Sequence, residues 1–215
     1  TDWLCDSCLS VNQHEDFGNS TLGADYLAVS PFLGEDHTPV YCEEGTARDS
    51  SCGRRGTIHS MSSFNSWFHT LNGANRECTT SIDGFFNGKL SISGELLENA
   101  FTQCPPSSVF GWSSHESLIN HKLWWTAALE ENITISQDQV LTVTSDSDVF
   151  VYLDDMLLLE LSGTRETPET SKIDLSTINF VNAIYPLRIF VASRRAFPLI
   201  LTISTDFEKL CHTSH

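Results

Sequence analysis

The sequence predicts an all-β fold, an antiparallel β-sandwich, and three observations lead to this class. After about residue 85 the chain consists of short segments rich in β-branched and aromatic residues, separated by polar turns. No helices intervene between these segments, so neighbouring strands are expected to be antiparallel. The 215 residues include 13 Phe and 5 Trp, which suffices for a sizeable core.

The amino-terminal part is predicted to be an elaboration of this sandwich. Residues 1–60 are rich in Asn, Gly, Ser and Asp, carry four cysteines and show no long period. We expect a loop-rich, disulfide-bearing elaboration over 1–60 and a sandwich core over 61–215. Since no linker or internal repeat separates these parts, one domain is favoured over two.

One short helix is predicted over residues 62–75. Apolar residues recur there at helical spacing, namely Phe64, Trp67, Phe68 and Leu71. Ser62 or Ser63 can cap the start, and Asn72-Gly73 can end the helix. Such a stripe normally packs into a core.

The remaining segments are predicted to be strands. They cover residues 89–93, 121–129, 132–136, 140–144, 148–153, 156–161, 185–193 and 197–204. Trp124 and Trp125 are adjacent, so in a strand they face opposite ways. We expect one ring in the core and the other exposed, where it would serve an interface or a loop-covered site in preference to a sugar ring.

Charge and cysteine content restrict the partners and the compartment. The net charge of −16, from 28 acidic residues against 12 Lys and Arg, disfavours nucleic acids and anionic membranes as partners. Apolar runs are far too short to span a bilayer, which argues against direct membrane insertion. The chain begins with Thr1 and shows no signal peptide, which predicts a processed chain or a cloned fragment.

Seven cysteines and two glycosylation sequons, at Asn19 and Asn132, predict a secreted or cell-surface protein, or the exterior of a viral particle. Disulfides are favoured over zinc, because the Cys5-x-x-Cys8 pair has no second ligand pair. The expected pairs are Cys42–Cys52 and Cys78–Cys104, with Cys5 or Cys8 joined to Cys211. One cysteine then remains free or pairs with another chain.

The stretch SDSDVFVYLDD (145–155) contains four aspartates around an apolar strand. Asp154-Asp155 is predicted to form a two-residue hairpin turn. If residue 153 faces 156, then 148 faces 161 and 146 faces 163. Asp146 and Asp148 then lie together at the other end of the hairpin, beside the loop SGTRE (162–166).

Two interpretations of this acidic pair follow from residue chemistry. Asp146, Asp148 and nearby carbonyls could hold a hard cation such as Ca²⁺, which takes six to eight oxygens. Alternatively Arg165 neutralises one of the aspartates and no metal is needed. Residue chemistry favours the second interpretation.

The same stretch resembles the fibro-slime domain, a family related to the lectin-like, protective-antigen-like β-sandwiches. Other segments similar to that family follow in the same order: HEDF (14–17), FNSWFHTLNGAN (64–75) and YPLRIFVASRR (185–195). The resemblance implies a lectin-like fold and a Ca²⁺-dependent sugar site at Asp146 and its neighbours. Ser147, Arg165 and Ser193-Arg194-Arg195 depart from the family pattern, which weakens the implied cation site.

We therefore expect a non-catalytic extracellular module that binds glycan or protein at a cell surface or within an assembly. The expected ligand-binding residues are Asp146, Asp148, Ser162, Gly163, Thr164, Arg165 and Arg194, with Asp146 and Asp148 as candidate Ca²⁺ ligands. The first alternative is a structural subunit of an extracellular filament, coat or matrix, as a homo- or hetero-oligomer. A secreted hydrolase is least favoured, because the chain has no G-x-S-x-G, H-E-x-x-H or P-loop motif.

Overall fold

The computed structural model of the protein describes residues 2–3, 14–17, 22–25, 28–42, 57–71, 75–86, 89–105, 114–135, 139–178, 183–195 and 197–205. The strands in these ranges are β1 Asp2–Trp3, β2 Gly23–Asp25, β3 Asn75–Arg76, β4 Phe85–Phe86, β5 Lys89–Ser93, β6 Trp125–Thr134, β7 Val140–Ser145, β8 Asp148–Leu153, β9 Met156–Thr164, β10 Glu169–Asp174, β11 Ile184–Ser193 and β12 Leu201–Thr205. The α-helices are α1 Met61–Phe64, α2 Gly94–Ala100 and α3 Ser114–Ile119, and the 3₁₀ turns are Phe101–Gln103 and Leu175–Thr177.

Two antiparallel sheets form the sandwich, which confirms the predicted fold class. One sheet has seven strands in the order β2-β9-β8-β11-β6-β1-β3, and the other has five in the order β10-β7-β12-β5-β4. The main core contains apolar residues of both sheets, including Val151 and Ile189 from the first and Leu141, Val143 and Ile203 from the second. Alternation of side chains along each strand places these residues on the facing surfaces.

A second apolar cluster covers the other face of the seven-stranded sheet. Phe150, Tyr152 and Phe190 project from that face and pack with Phe64 and Trp67. Strand β8 is therefore buried on both faces along its whole length, which explains its apolar run from Val149 to Leu153. The described residues of the elaboration that join this cluster, among them Phe17, Val29 and Ile58, thus form a third layer on the sandwich together with α1.

The two adjacent tryptophans correct one prediction. Trp125 lies in the main core and Trp124 in the second cluster, with exposed fractions of 0% and 3%. They do separate into different environments, but neither is exposed. The expectation of an exposed ring failed because it assumed that one face of the sheet meets solvent.

Each predicted segment contains a strand, with differences in bounds and in number. The segments predicted at 121–129 and 132–136 are one continuous strand, β6, and the segment predicted at 197–204 becomes a strand only at Leu201. Strands β1 to β4 and β10 were not predicted. Strand β10, ETSKID, is an edge strand with mostly exposed polar residues, so its sequence lacks a buried face.

The helix predicted over 62–75 is much shorter in the structure. Helix α1 ends at Phe64, and Ser60, not Ser62 or Ser63, caps its start through a capping box with Ser63. The predicted end at Asn72-Gly73 lies outside the described residues. Helices α2 and α3 were not predicted, since six or seven residues are too few to establish a helical period.

The hairpin between β8 and β9 has the predicted two-residue turn. Asp154 and Asp155 both have positive φ, 50° and 61°, as a type I′ turn requires. The predicted register is correct next to the turn, where Leu153 faces Met156 and Tyr152 faces Leu157. Leu158 is an extra residue in a bulge, so the pairs farther from the turn are shifted by one residue and Val149 faces Leu161. Position 148 therefore does not face 161.

One predicted disulfide is present. Cys78 and Cys104 are bonded, with Cα atoms 5.9 Å apart. Cys42 is also disulfide-bonded, but Cys5, Cys8, Cys52 and Cys211 lie outside the described residues, as does Asn19. In the ranges that the structure describes, no helix is long and apolar enough to cross a membrane.

Candidate functional site

Asp148 and Arg194 form a buried ion pair at the start of β8. Arg194 Nε donates to Asp148 Oδ2 at 2.7 Å, and Nη2 donates to Oδ1 at 3.1 Å. The side chains are 0% and 1% exposed. The backbone N–H of Gly163 also donates to Asp148 Oδ1, at 2.7 Å. Both carboxylate oxygens of Asp148 are thus committed to groups of the protein.

The Arg194 guanidinium is held on its other sides by the elaboration. Nη1 donates to the carbonyl of Thr57 at 2.9 Å and Nη2 donates to its hydroxyl at 2.5 Å. The guanidinium carbon lies 4.7 Å from the centre of the Trp67 ring, a cation–π contact. Arg194 therefore joins the end of β11 to the layer that covers the sheet.

Trp67 extends this contact to the HEDF segment. Its indole Nε1 donates to Asp16 Oδ2 at 2.8 Å, and Asp16 Oδ1 accepts the backbone N–H of His59 at 2.6 Å. Asp16 is 2% exposed and Trp67 is 0% exposed. The buried cluster Asp148–Arg194–Trp67–Asp16 is a continuous polar network across the outer face of the sheet, and we call it the arginine network.

Asp146 lies outside this network, in the bend between β7 and β8. Its Oδ1 accepts the backbone N–H of Ile200 at 3.1 Å, and Oδ2 lies 3.4 Å from Arg195 Nη1. Burial raises the pKa of Asp146, while the bond from Ile200 and the charge of Arg195 act in the opposite direction. The backbone carbonyl of Asp146 accepts the N–H of Arg165 at 2.8 Å. Asp146 therefore lies beside residues 162–166, as predicted.

Arg165 does not neutralise either aspartate by a direct bond. Its Nε donates to Glu169 at 2.8 Å, and its other nitrogens donate to the carbonyls of Gly163 and Ser162. The two carboxylates pair instead with Arg194 and Arg195. Arginines therefore do neutralise the two aspartates, as predicted, but they are Arg194 and Arg195 instead of Arg165.

The remaining predicted ligand residues are mostly inside the protein. Ser162 and Thr164 are each 2% exposed. Gly163 has φ 99°, a conformation that suits glycine. Ser147, which departs from the family pattern, donates its hydroxyl to the carbonyl of Ala192 at 2.6 Å. These residues pair β8 with β9 and β11 and do not line an open loop surface.

Glu160 adds a second buried carboxyl beside the hairpin. It accepts the backbone N–H of Ala28 at 2.7 Å and the hydroxyl of Ser162. Its Oε2 is buried and has no hydrogen-bond partner among the residues that the structure describes. Burial raises the pKa of Glu160, and the nearby charge of Asp148 raises it further.

The described residues contain no group of three or more His, Cys, Asp or Glu side chains placed to hold a metal ion. A cation at Asp148 would have to displace Arg194, whose other donors are bound to Thr57. Such a displacement would leave a buried guanidinium without its counter-charge.

His14 lies between Ser66 and Asp16, which brings a Ser, a His and an Asp together. His14 Nε2 lies 2.7 Å from Ser66 Oγ and 3.1 Å from the carbonyl of Ser63. The backbone N–H of Asp16 donates to His14 Nδ1 at 3.2 Å. Nδ1 is therefore the acceptor and Nε2 carries the proton, so the ring cannot take a proton from Ser66. Burial lowers the pKa of His14, which keeps the ring neutral.

The segments that carry the fibro-slime resemblance meet at the arginine network. Asp16 comes from HEDF, Trp67 from the FNSWF segment, Asp148 from the hairpin and Arg194 from the carboxyl-terminal segment. Sequence reasoning singled out Asp148 and Arg194 but missed Trp67 and Asp16 as their partners. The order of these segments in the sequence was the available signal, but order alone does not reveal contact.

A separate cleft of about 210 Å³ lies near the disulfide. Its lining combines aromatic, aliphatic and polar residues of α2, the segment after β3, and β6. The lining includes Phe68, Glu77, Cys78, Thr79, Thr80, Ile82, Leu97, Ala100, Phe101, Cys104, Thr126, Ala127, Ala128 and Leu129. None of the predicted ligand-binding residues lines it.

Similarity to known proteins extends over most of the chain. It is 26% identical over 196 residues to Protein psiD of Dictyostelium discoideum, a match that covers 85% of this chain and 36% of that protein. Protein psiQ of the same organism is 26% identical, with 85% of this chain and 18% of psiQ covered. Protein psiC is 24% identical, with coverages of 83% and 35%. The chain thus spans only about a third or less of these relatives.

No protein-family model matches the chain, so the fibro-slime resemblance stays a prediction. Among solved structures, a β-glucosidase from Kluyveromyces marxianus aligns with 37% of this chain and 11% of its own, at 14% identity and a TM-score of 0.28. The relatives of known source belong to a cellular organism, and the expectation of a viral exterior finds no support in them.

Proposed function

We propose that this chain is a non-catalytic extracellular module of a larger protein, and that Asp146 and Asp148 stabilise its fold instead of binding Ca²⁺. The observation that carries the proposal is the buried Asp148–Arg194 pair. Its geometry satisfies both oxygens of the aspartate and four nitrogen–acceptor contacts of the arginine. An ion pair of this kind joins the seven-stranded sheet to the layer that covers its outer face.

The extracellular location is supported by the Cys78–Cys104 disulfide, since disulfides persist in oxidising compartments. The non-catalytic assignment is supported by His14, whose tautomer opposes general-base chemistry. The similarity to much longer psi proteins supports a role as one part of a larger chain. Membership of the fibro-slime family is part of this proposal, because the segments that carry the resemblance build one network.

Calorimetric titration with CaCl₂ tests the metal part of the proposal. The range should extend to about 10 mM, because extracellular modules bind Ca²⁺ with dissociation constants of roughly 10⁻⁴–10⁻³ M. We expect no binding heat and the same Tm in Ca²⁺ and in EDTA. Saturable heat that is lost in Asp146→Asn, with folding retained, would overturn the proposal.

The structural role makes a separate prediction about assembly. If the odd cysteine links copies of this chain, non-reducing gels of protein from a secretory host show a dimer or larger species, and reducing gels show a monomer. A monomer under both conditions argues against linkage through the odd cysteine and leaves non-covalent assembly, which sedimentation velocity then measures.

A further inference from the structure

The side chain of His14 is 6% exposed, and both of its ring nitrogens are engaged. Nε2 lies 2.7 Å from Ser66 Oγ, whose own hydroxyl donates to the carbonyl of Ser63 at 2.6 Å. A lone pair of Ser66 Oγ therefore accepts the proton that Nε2 carries. Nδ1 accepts the backbone N–H of Asp16 at 3.2 Å. The neutral ring thus fits its surroundings as one donor and one acceptor.

A charged His14 ring does not fit the same surroundings. Protonation would place a second proton on Nδ1, where it would point at the backbone N–H of Asp16, a donor opposite a donor. The charge would also lie in a site with little access to water, which disfavours the charged form. The docked position of this segment is therefore specific for the neutral histidine.

The carboxylate of Asp16 is the counter-charge that a protonated His14 would attract. Asp16 Oδ2 lies 4.0 Å from His14 Nδ1, too far for a hydrogen bond. Both of its oxygens are already used, Oδ2 by Trp67 Nε1 at 2.8 Å and Oδ1 by the backbone N–H of His59 at 2.6 Å. Asp16 cannot turn to a charged His14 without giving up bonds that attach this segment to Trp67 and His59.

Other charges near His14 are weaker influences than its burial. Burial lowers the pKa of His14, and the charge of Arg194 at the end of β11 acts in the same direction. The charges of Asp16 and Glu15 and the Ser63 carbonyl raise the pKa, but burial prevails. The exposed His59 ring lies 3.2 Å from Glu15, and α1 has no titratable side chain.

We propose that His14 is a pH-sensitive switch that holds the HEDF segment (14–17) against α1 at neutral pH and releases it when protonated in mildly acidic solution. Release separates Asp16 from Trp67 and removes Phe17 from the edge of the Trp67 ring, where the ring centres are 5.7 Å apart. The arginine network then loses one end, and aromatic surface is exposed. The module is thus closed at neutral pH and loosened in an acidic compartment.

The direction of the pKa shift gives the pH range of the switch. Because folding lowers the pKa of His14, its stabilising contribution is present above the unfolded value of 6.5 and is lost as the pH falls through the folded pKa. Between these two values one proton is taken up on release, so the equilibrium constant for release rises by up to about tenfold per pH unit. Glu160 acts in the opposite direction, since burial raises its pKa.

Hydrogen exchange at about pH 5 and pH 7.5 tests the proposal in the range where histidines change charge. The reporters are the backbone amides of Asp16, Phe17 and His59, all of which are hydrogen-bonded within this segment or to it. After correction for intrinsic exchange, their protection should be roughly tenfold lower at the acidic pH. Equal protection at both pH values would overturn the proposal.

Two variants assign the response to His14. His14→Gln keeps a donor near the position of Nε2 but cannot take up a proton, so its protection should be the same at both pH values. His59→Gln is the matched control, because this exposed histidine belongs to the same region and should leave the pH response intact. A response that persists in folded His14→Gln would show that another group is responsible.

NMR of the His14 ring in the wild-type protein provides a test that needs no variant. We expect a titration midpoint below 6.5 and, at neutral pH, a proton on Nε2. A midpoint at or above 6.5, or a neutral ring protonated on Nδ1, would overturn the proposal. The structural role proposed for Asp148 does not depend on this outcome.

Discussion

Replacing Asp148 by Asn would remove the negative charge that faces Arg194 while keeping the size of the side chain. Arg194 is 1% exposed and cannot reach water without movement of Trp67 or Thr57, which it contacts. An uncompensated guanidinium would then remain in a nearly dry interior. We therefore expect Asp148→Asn to be strongly destabilising.

The magnitude follows from the burial of both partners. Removing one member of a buried ion pair costs about 3–5 kcal/mol. The Asn oxygen can replace Oδ1, which accepts from both Gly163 N–H and Arg194 Nη2, but the Asn amide nitrogen would then face the N–H of Arg194 Nε, a donor opposite a donor. For a chain of 215 residues, each kcal/mol shifts the Tm by roughly 2–4 °C, so the expected fall is about 6–20 °C.

Urea denaturation followed by tryptophan fluorescence measures the change directly. Asp154→Asn is the matched control, because Asp154 is exposed and Asn adopts its positive φ readily. The control should change the free energy of unfolding by no more than about 0.5 kcal/mol. The double variant Asp148→Leu, Arg194→Met should be more stable than Asp148→Asn, because it leaves no buried charge unpaired.

The reasoning would be refuted by a mild result. If Asp148→Asn loses less than about 1 kcal/mol, close to the cost of a typical point substitution, then the ion pair is not the group that holds this region together. A loss equal to that of Asp154→Asn would lead to the same conclusion.

Three further predictions concern other parts of the molecule. Replacing Cys78 and Cys104 by Ser should cost about 3–4 kcal/mol by loop entropy for a separation of 26 residues, measured by thermal unfolding. Because folding raises the pKa of Glu160, this group stabilises the folded state at pH values below its unfolded pKa of 4.5, and the contribution is lost as the pH rises through the folded pKa. Glu160→Gln should therefore flatten the pH dependence of the free energy of unfolding between these two pKa values. The sequon at Asn132 is exposed at the end of β6, so secretion from a eukaryotic host should yield a glycan removed by a peptide-N-glycosidase and absent from Asn132→Gln.

The strands could be predicted because their apolar periodicity is a local property. Segments such as 148–153 were located with their correct bounds. Strand β10 was missed since an edge strand with exposed residues carries no apolar alternation. The register of the hairpin failed for a different reason: the bulge at Leu158 adds one residue, and no local signal marks it.

The candidate site was only half predictable. Asp148 and Arg194 stood out because charged residues beside apolar strands need partners. The sequence could not predict which arginine pairs with which aspartate, because Arg165, Arg194 and Arg195 all lie in segments that reach the same end of the sandwich. The cleft was missed entirely, because it is built from segments with unremarkable sequences and exists only through their packing.

The layer that covers the outer face of the sheet has a consequence for cooperativity. Phe17, Phe64 and Trp67 bury Phe150 and Phe190, and Arg194 fastens the same layer to β8. Local unfolding of this layer would both expose the aromatic surface and break the ion pair. The free energy of unfolding the layer alone should therefore approach that of unfolding the whole sandwich. Backbone amides of α1 and of β8 are thus expected to exchange hydrogen for deuterium as a single foldon.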